Sequence, residues 1–119
     1  MHPYKRSKRV GDLLREEIAD IIMRRVKDPR IGFVTVTSVK VTDDLRRAKV
    51  YISVLHKKET LQTINALTSA SGFIRAELGK RLRIKILPKI EFLEDDSIEY
   101  GTRIDQLIKR LKEEGSEGT

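Results

Sequence analysis

The chain has 119 residues, enough for one domain with a hydrophobic core of its own. It contains no cysteine, which excludes disulfides, thiolate metal sites and thiol catalysis. Charged residues make up 36% of it and the net charge is +7, a balance that attracts phosphate-rich partners. That charge is uneven: residues 1–30 carry net +4, residues 31–93 net +7 and residues 94–119 net −4. No apolar run approaches the ~20 residues of a membrane span. Met1 to Arg9 is basic, but no apolar segment of the secretory kind follows. The expectation is a soluble cytoplasmic protein that has no membrane partner.

Val10, Leu13, Leu14, Ile18, Ile21, Ile22 and Val26 recur at spacings of three and four, which predicts a helix from Ser7 to Val26. Glu17 is the one polar residue on that stripe. Ser7 is a candidate N-cap. Pro29 disfavours the α conformation at Asp28 and should end the helix before it.

The period then changes. Residues 33–41 are rich in β-branched side chains and predict a strand. Its apolar phase slips from Val34 and Val36 to Val39 and Val41, so a bulge is expected near Thr37-Ser38. Thr42-Asp43-Asp44 has turn chemistry. Residues 48–54 alternate cleanly, with Ala48, Val50, Ile52 and Val54 on one face, and complete a hairpin. Thr60 is a candidate cap for a second helix through Leu61, Ile64 and Leu67. A third runs through Ile74, Leu78 and Leu82, and Ala70-Ser71-Gly72 marks a kink between the two. At Gly72 the kink should need either a positive φ or a close backbone approach. Residues 84–92 alternate again, with Pro88 favouring an edge position or a bulge. A last helix is predicted from about Thr102, and 113–119 reads as a short disordered acidic tail beyond a single domain over 1–112. The order α-β-β-α-α-β-α predicts an α+β fold, a small mixed sheet covered by helices on one face.

Catalytic chemistry is sparse. His2 and His56 are far apart and have no cysteine to join them in a zinc site. Asp43-Asp44 and Asp95-Asp96 read as turn and helix-start aspartates. Gly79-Lys80 is not a phosphate-binding loop, because Gly72 falls outside the motif's spacing and Arg81 stands where Ser or Thr belongs. Basic residues are more telling. Arg75, Lys80, Arg81, Arg83, Lys85 and Lys89 form one run, broken only by Glu77. Lys5, Arg6, Lys8 and Arg9 form another. Arg24, Arg25, Lys27 and Arg30 form a third. Such side chains neutralise phosphates, although cations in a helix's last turn also suit its dipole. Phe33, Phe73 and Phe92 are expected in the core. With few stacking platforms left, shape and backbone recognition of folded RNA is expected rather than the reading of splayed bases.

Several strings together resemble the ribosome-binding factor A family. They are Asp28-Pro29-Arg30, Asp44-Leu45 followed by residues 48–54, Ala70-Ser71-Gly72, Phe73-Ile74-Arg75 with Leu78-Gly79, Pro88 before Ile90 and Phe92, and Asp95-Asp96-Ser97-Ile98. The resemblance spans roughly residues 4–111. It implies a type II KH-like domain, monomeric, with no catalytic residue, metal or cofactor and no small-molecule substrate. It implies binding to free small ribosomal subunits and a part in the processing of their 16S ribosomal RNA. The RNA-binding residues expected are Arg75, Lys80, Arg81, Arg83 and Lys85 beside the kink, with Lys5, Arg6, Lys8, Arg9 and Arg30. A general KH-like module with a different RNA target is the alternative.

Overall fold

A computed structural model describes residues 5–96 and 107–111. The first helix, α1, spans Arg6–Arg24 and buries Leu14, Ile18, Ile21 and Ile22 of the predicted stripe, while Leu13, on its margin, is 41% exposed. It stops short of Pro29, as proline geometry requires. Ser7 does not cap it. Lys5 occupies the N-cap without a side-chain bond, and Ser7 lies inside the helix. The Ser7 hydroxyl instead donates to Asp43 Oδ1 at 3.2 Å, tying the helix start to a distant turn.

Strands β1 (Val34–Val41) and β2 (Arg47–Val54) form the expected antiparallel hairpin. The register shifts between Val36 and Ser38, so a bulge at Thr37 accounts for the phase slip. Val36 therefore pairs with Ile52, and beyond the bulge Val39 pairs with Val50. In the connecting turn, Thr42 Oγ1 donates to Asp44 Oδ1 at 2.6 Å and the Arg46 amide donates to the same oxygen at 3.0 Å. Leu45 takes the left-handed conformation there, at φ 61°.

A 3₁₀ turn, Lys57–Glu59, leads into α2 (Thr60–Ser69), and α3 (Ser71–Arg81) follows directly. Thr60 does not cap α2 either. Glu59 is the N-cap, and the Thr60 hydroxyl is buried with no partner. The predicted break is present, but Gly72 does not make it. Ala70 separates the helices at φ −90° and ψ 0°, the bridge region that turns use and that an L-residue reaches without a positive φ. Gly72 has no positive φ, and a Cβ built on it meets nothing within 4 Å. The close approach lies elsewhere. A Cβ on Gly11 in α1 would stand 2.6 Å from the Val39 carbonyl oxygen in β1.

The third strand, β3, is shorter than the alternation suggested. It covers Lys89–Glu94 and runs parallel to β2, with Arg47 opposite Lys89. Residues before Lys89 would pair with residues before Arg47, which lie in the hairpin turn, so no ladder is available to them. Pro88 also lacks the N–H to begin one. Residues 82–88 accordingly form a loop, with Ile84 half-buried and Ile86 48% exposed. The result is a mixed sheet ordered β1-β2-β3. One face carries Ala48, Val50, Ile52, Val54, Ile90 and Phe92, which join Leu14, Ile18, Ile21, Leu67, Ile74 and Leu78 in a single core.

Of the phenylalanines expected in that core, only Phe92 is buried. Phe33 is 83% exposed and Phe73 45%. Phe33 immediately precedes Val34, which takes the inward position, so alternation turns Phe33 out. Ile74 and Leu78 supply the buried stripe of α3, leaving Phe73 on its flank. Residues 107–111 are helical, within the helix predicted from Thr102. The start of that helix and the 113–119 tail lie outside the described residues.

The two glycines should respond in opposite ways to an added methyl. Gly11→Ala is expected to cost about 1–3 kcal/mol, the usual penalty of overpacking against backbone that cannot move aside. Gly72→Ala and Gly72→Val should cost nothing measurable, since both residues are better helix formers than glycine. Urea unfolding of the three variants checks this. A Gly72→Val midpoint below that of Gly11→Ala would contradict the seating of α1.

Candidate nucleic-acid interface

The cations at the ends of α1 and α3 face acids of the same protein. Arg81 donates from one guanidinium nitrogen to Glu17 Oε2 at 3.1 Å and Asp20 Oδ2 at 2.7 Å. Glu17, the polar exception on the α1 stripe, is there to meet α3. Arg24 Nε lies 2.6 Å from Asp20 Oδ1. Arg25 and Lys80 both approach Glu77 Oε1, at 3.6 Å each, and Glu77 is only 7% exposed. The Arg81 hydrogen bond, with Arg24 assisting, holds the Asp20 carboxyl below its ordinary range against the opposing effect of burial. Asp20 and Glu17 in turn raise Arg81 above its own. Arg81, expected to meet RNA, thus belongs to a seam between α1 and α3, whereas Lys80, also expected to meet RNA, pairs with Glu77 along α3 itself and keeps its side chain 74% exposed.

Arg75 is also engaged. It is exposed on α3, but its head group is bonded to the protein. Its Nε donates to the Pro88 carbonyl at 3.0 Å and a terminal nitrogen donates to the Leu87 carbonyl at 2.9 Å. It lies on the α3 flank facing the loop, so its planar fork reaches the carbonyls that β3 leaves unpaired. Arg30 closes on Asp28 through two nitrogens, and the Arg30 amide donates to the same carboxylate at 2.9 Å. Those bonds keep Asp28 ionised below its ordinary range. The Asp28-Pro29-Arg30 string is therefore a self-contained corner after α1.

Other predicted residues stay on the surface. Arg83 and Lys85 are exposed in the 82–88 loop and form no ion pair among the described residues. Lys5, Arg6, Lys8 and Arg9 are exposed around the first turn of α1. At the α2–α3 break, Ser71 is half-buried and donates to the Thr68 carbonyl at 2.7 Å, while Gly72 is exposed. The structure thus divides the predicted set: Arg75, Lys80, Arg81 and Arg30 have partners within the protein, and Arg83, Lys85, Lys5 and Arg6 project outward.

Sequence reading left one group unassembled. Lys40, Arg47, Lys49 and Lys89 lie on the sheet face opposite the helices, between the buried positions of three different strands. Alternation in each strand signalled which face each residue takes. Only the register brings them together. Among the described residues no three His, Cys, Asp or Glu side chains gather as a metal site would require, and no helix is long and apolar enough to cross a membrane.

Comparison with known proteins identifies the family and agrees with the fold. The profile of the family described as Ribosome-binding factor A matches residues 6–108. The chain belongs to the ribosome-binding factor A family. A Thermodesulfovibrio yellowstonii ribosome-binding factor A is 55% identical over 117 residues, covering 98% of this chain and 99% of that protein. The crystal structure of ribosome-binding factor A from Thermus thermophilus superposes with a TM-score of 0.67 at 28% identity, over 74% of this chain and 93% of that one. A homology model of the Thermus thermophilus factor, fitted into a cryo-EM map of a 30S complex, gives 0.60 at 30% identity over 70% and 88%. Within a ribosome-binding factor A chain, Asp28-Pro29-Arg30 and the Ala70 break now have structural causes of their own.

The α1–α3 seam should make stability depend on acid pH. Asp20 has a folded-state value below its ordinary 3.8, so its contribution is present above 3.8 and is lost as pH falls through the lower folded value. Arg81→Gln should therefore lower the melting midpoint at neutral pH, and the gap to the parent chain should narrow below pH 3.8. Thermal melts across that range check it. A gap independent of pH would mean that Arg81 acts by packing instead.

Proposed function

We propose that this protein binds free small ribosomal subunits through its outward-facing cations and assists maturation of the subunit and processing of its 16S ribosomal RNA. The observation that carries this reading is the 30S complex of the Thermus thermophilus relative, whose fold this chain shares. The charge distribution supports it: the chain is net +7, and much of the positive charge that is not used between helices points to solvent. The protein works without catalysis, by holding RNA in place as a cytoplasmic monomer. Arg83, Lys85, Lys5 and Arg6 contact phosphates, because their charges are exposed and not neutralised by ion pairs among the described residues. Lys8 and Arg9 extend that basic segment along α1. The relevant RNA is folded, and recognition follows backbone and shape.

Sedimentation through a sucrose gradient tests the partner. The protein should travel with free small subunits, and recovery mainly with polysomes would overturn the proposal. Binding titrations test the residues. Arg83→Gln with Lys85→Gln should lower the salt slope of subunit binding by about two units, one per lost phosphate contact, without lowering the melting midpoint. Arg75→Gln should do the reverse, since its guanidinium holds the 82–88 loop. Equal loss of slope from both would show that the division of cations is wrong.

A further inference from the structure

The helix-free face of the sheet carries a charge pattern that folding disfavours. Register sets Lys40 directly opposite Lys49 in the antiparallel pair, and Arg47 beside Lys89 in the parallel pair. Like charges directly opposite each other weaken strand pairing. All four residues are exposed, and none forms an ion pair among the described residues. The acid on this face, Glu91, is the register partner of Lys49 but forms no ion pair with it. The contrast with the α1–α3 seam is direct. There each cation meets an acid, and here cations meet cations.

Lys40, Arg47, Lys49, Lys89, Glu91 and Tyr51 all line one depression, which also takes in Thr68 of α2 and the backbone-adjacent core positions of the same strands. Tyr51 is half-buried, and the Lys40 ammonium sits 5.5 Å from its ring centroid. A ring covered in this way offers no open platform for a splayed base. What the face presents is positive charge on a stiff grid, three strands and roughly 10 Å wide. Such a grid matches a regular array of phosphates better than it matches a flexible single strand.

We propose that this sheet face is a second RNA-binding surface, which takes the phosphate backbone of a ribosomal RNA helix. It is distinct from the exposed cations of the 82–88 loop and of the start of α1. The inference rests on the reading of the protein as a small-subunit binder.

Two double variants of the full chain test it, Lys40→Gln with Lys49→Gln and Arg47→Gln with Lys89→Gln. Each removes repulsion, so each should melt at or above the temperature of the parent chain. A structural role for these cations would lower that temperature, and this result would overturn the proposal. Each variant should bind purified small subunits more weakly, with a salt slope lower by about two units. A base-paired RNA hairpin is the second probe, and binding to it should weaken likewise. Subunit binding indistinguishable from that of the parent chain would overturn the proposal while leaving the small-subunit reading intact. Weaker subunit binding with hairpin binding unchanged would assign the face to an acidic ribosomal protein, and the RNA assignment would fall. Failure of the parent chain itself to bind subunits would overturn both readings.

Discussion

Helix α1 approaches β1 so closely at Gly11 that a methyl group there would stand 2.6 Å from the Val39 carbonyl oxygen. Several other features follow from this contact. With the backbones that near, Leu14, Ile18 and Ile21 reach full burial against Val50, Ile52 and Phe92. Side chains of that size contribute about 1.5–3 kcal/mol each when removed from water. The same seating turns the flank of α1 that carries Glu17 and Asp20 toward the last turn of α3, where Arg81 meets both. The Ser7–Asp43 bond fixes the other end of α1 to the hairpin turn.

That arrangement sorts the positive charge of the chain into two kinds. One kind is paired with acids or carbonyls of the protein: Arg81 with Glu17 and Asp20 across the helices, Arg25 and, along α3, Lys80 with Glu77, Arg75 with Leu87 and Pro88 of the loop. Most of these pairs are partly exposed, where an isolated pair contributes little. Their value is in geometry, as links between α1, α3 and the loop that leads to β3. The other cations are displayed on the loop, at the helix start and across the bare face of the sheet. A basic surface turned to solvent is what a protein that binds folded RNA requires. The acids that would neutralise it are concentrated in residues 94–119, which carry net −4.

Much of the fold was legible because periodicity reports which face a residue occupies. The α1 stripe, the hairpin strands and the bulge at Thr37 are legible from spacing, the hairpin turn and the break after α2 from residue type. What depends on neighbours distant in sequence was not legible. Ser7 and Thr60 are good capping residues by type, yet each lies one or two positions inside its helix, and Ser7 found an acceptor 36 residues away. Residues 84–88 alternate like a strand but have no strand beside them in the parallel register. Gly72 sits at the break and so suggests the tight position, while the constrained glycine is Gly11, in the middle of an ordinary amphipathic pattern. For the site, a run of basic residues from Arg75 to Lys89 looked like one surface. Helix and loop geometry divided it among a carbonyl clamp, an ion-pair seam and a solvent-facing remainder. The sheet-face cluster shows the converse: four residues spread from Lys40 to Lys89 become neighbours only through strand register.

The central claim is that cations left without acid or carbonyl partners among the described residues, and not the paired ones, meet the ribosome. Lysine-reactive footprinting read by mass spectrometry tests it most directly, comparing the free protein with its complex on purified small subunits. Lys85, Lys49 and Lys89 should lose reactivity in the complex, while Lys80, whose ammonium faces Glu77 along α3, should change least. Protection centred on Lys80, with Lys85, Lys49 and Lys89 as reactive as in the free protein, would contradict it.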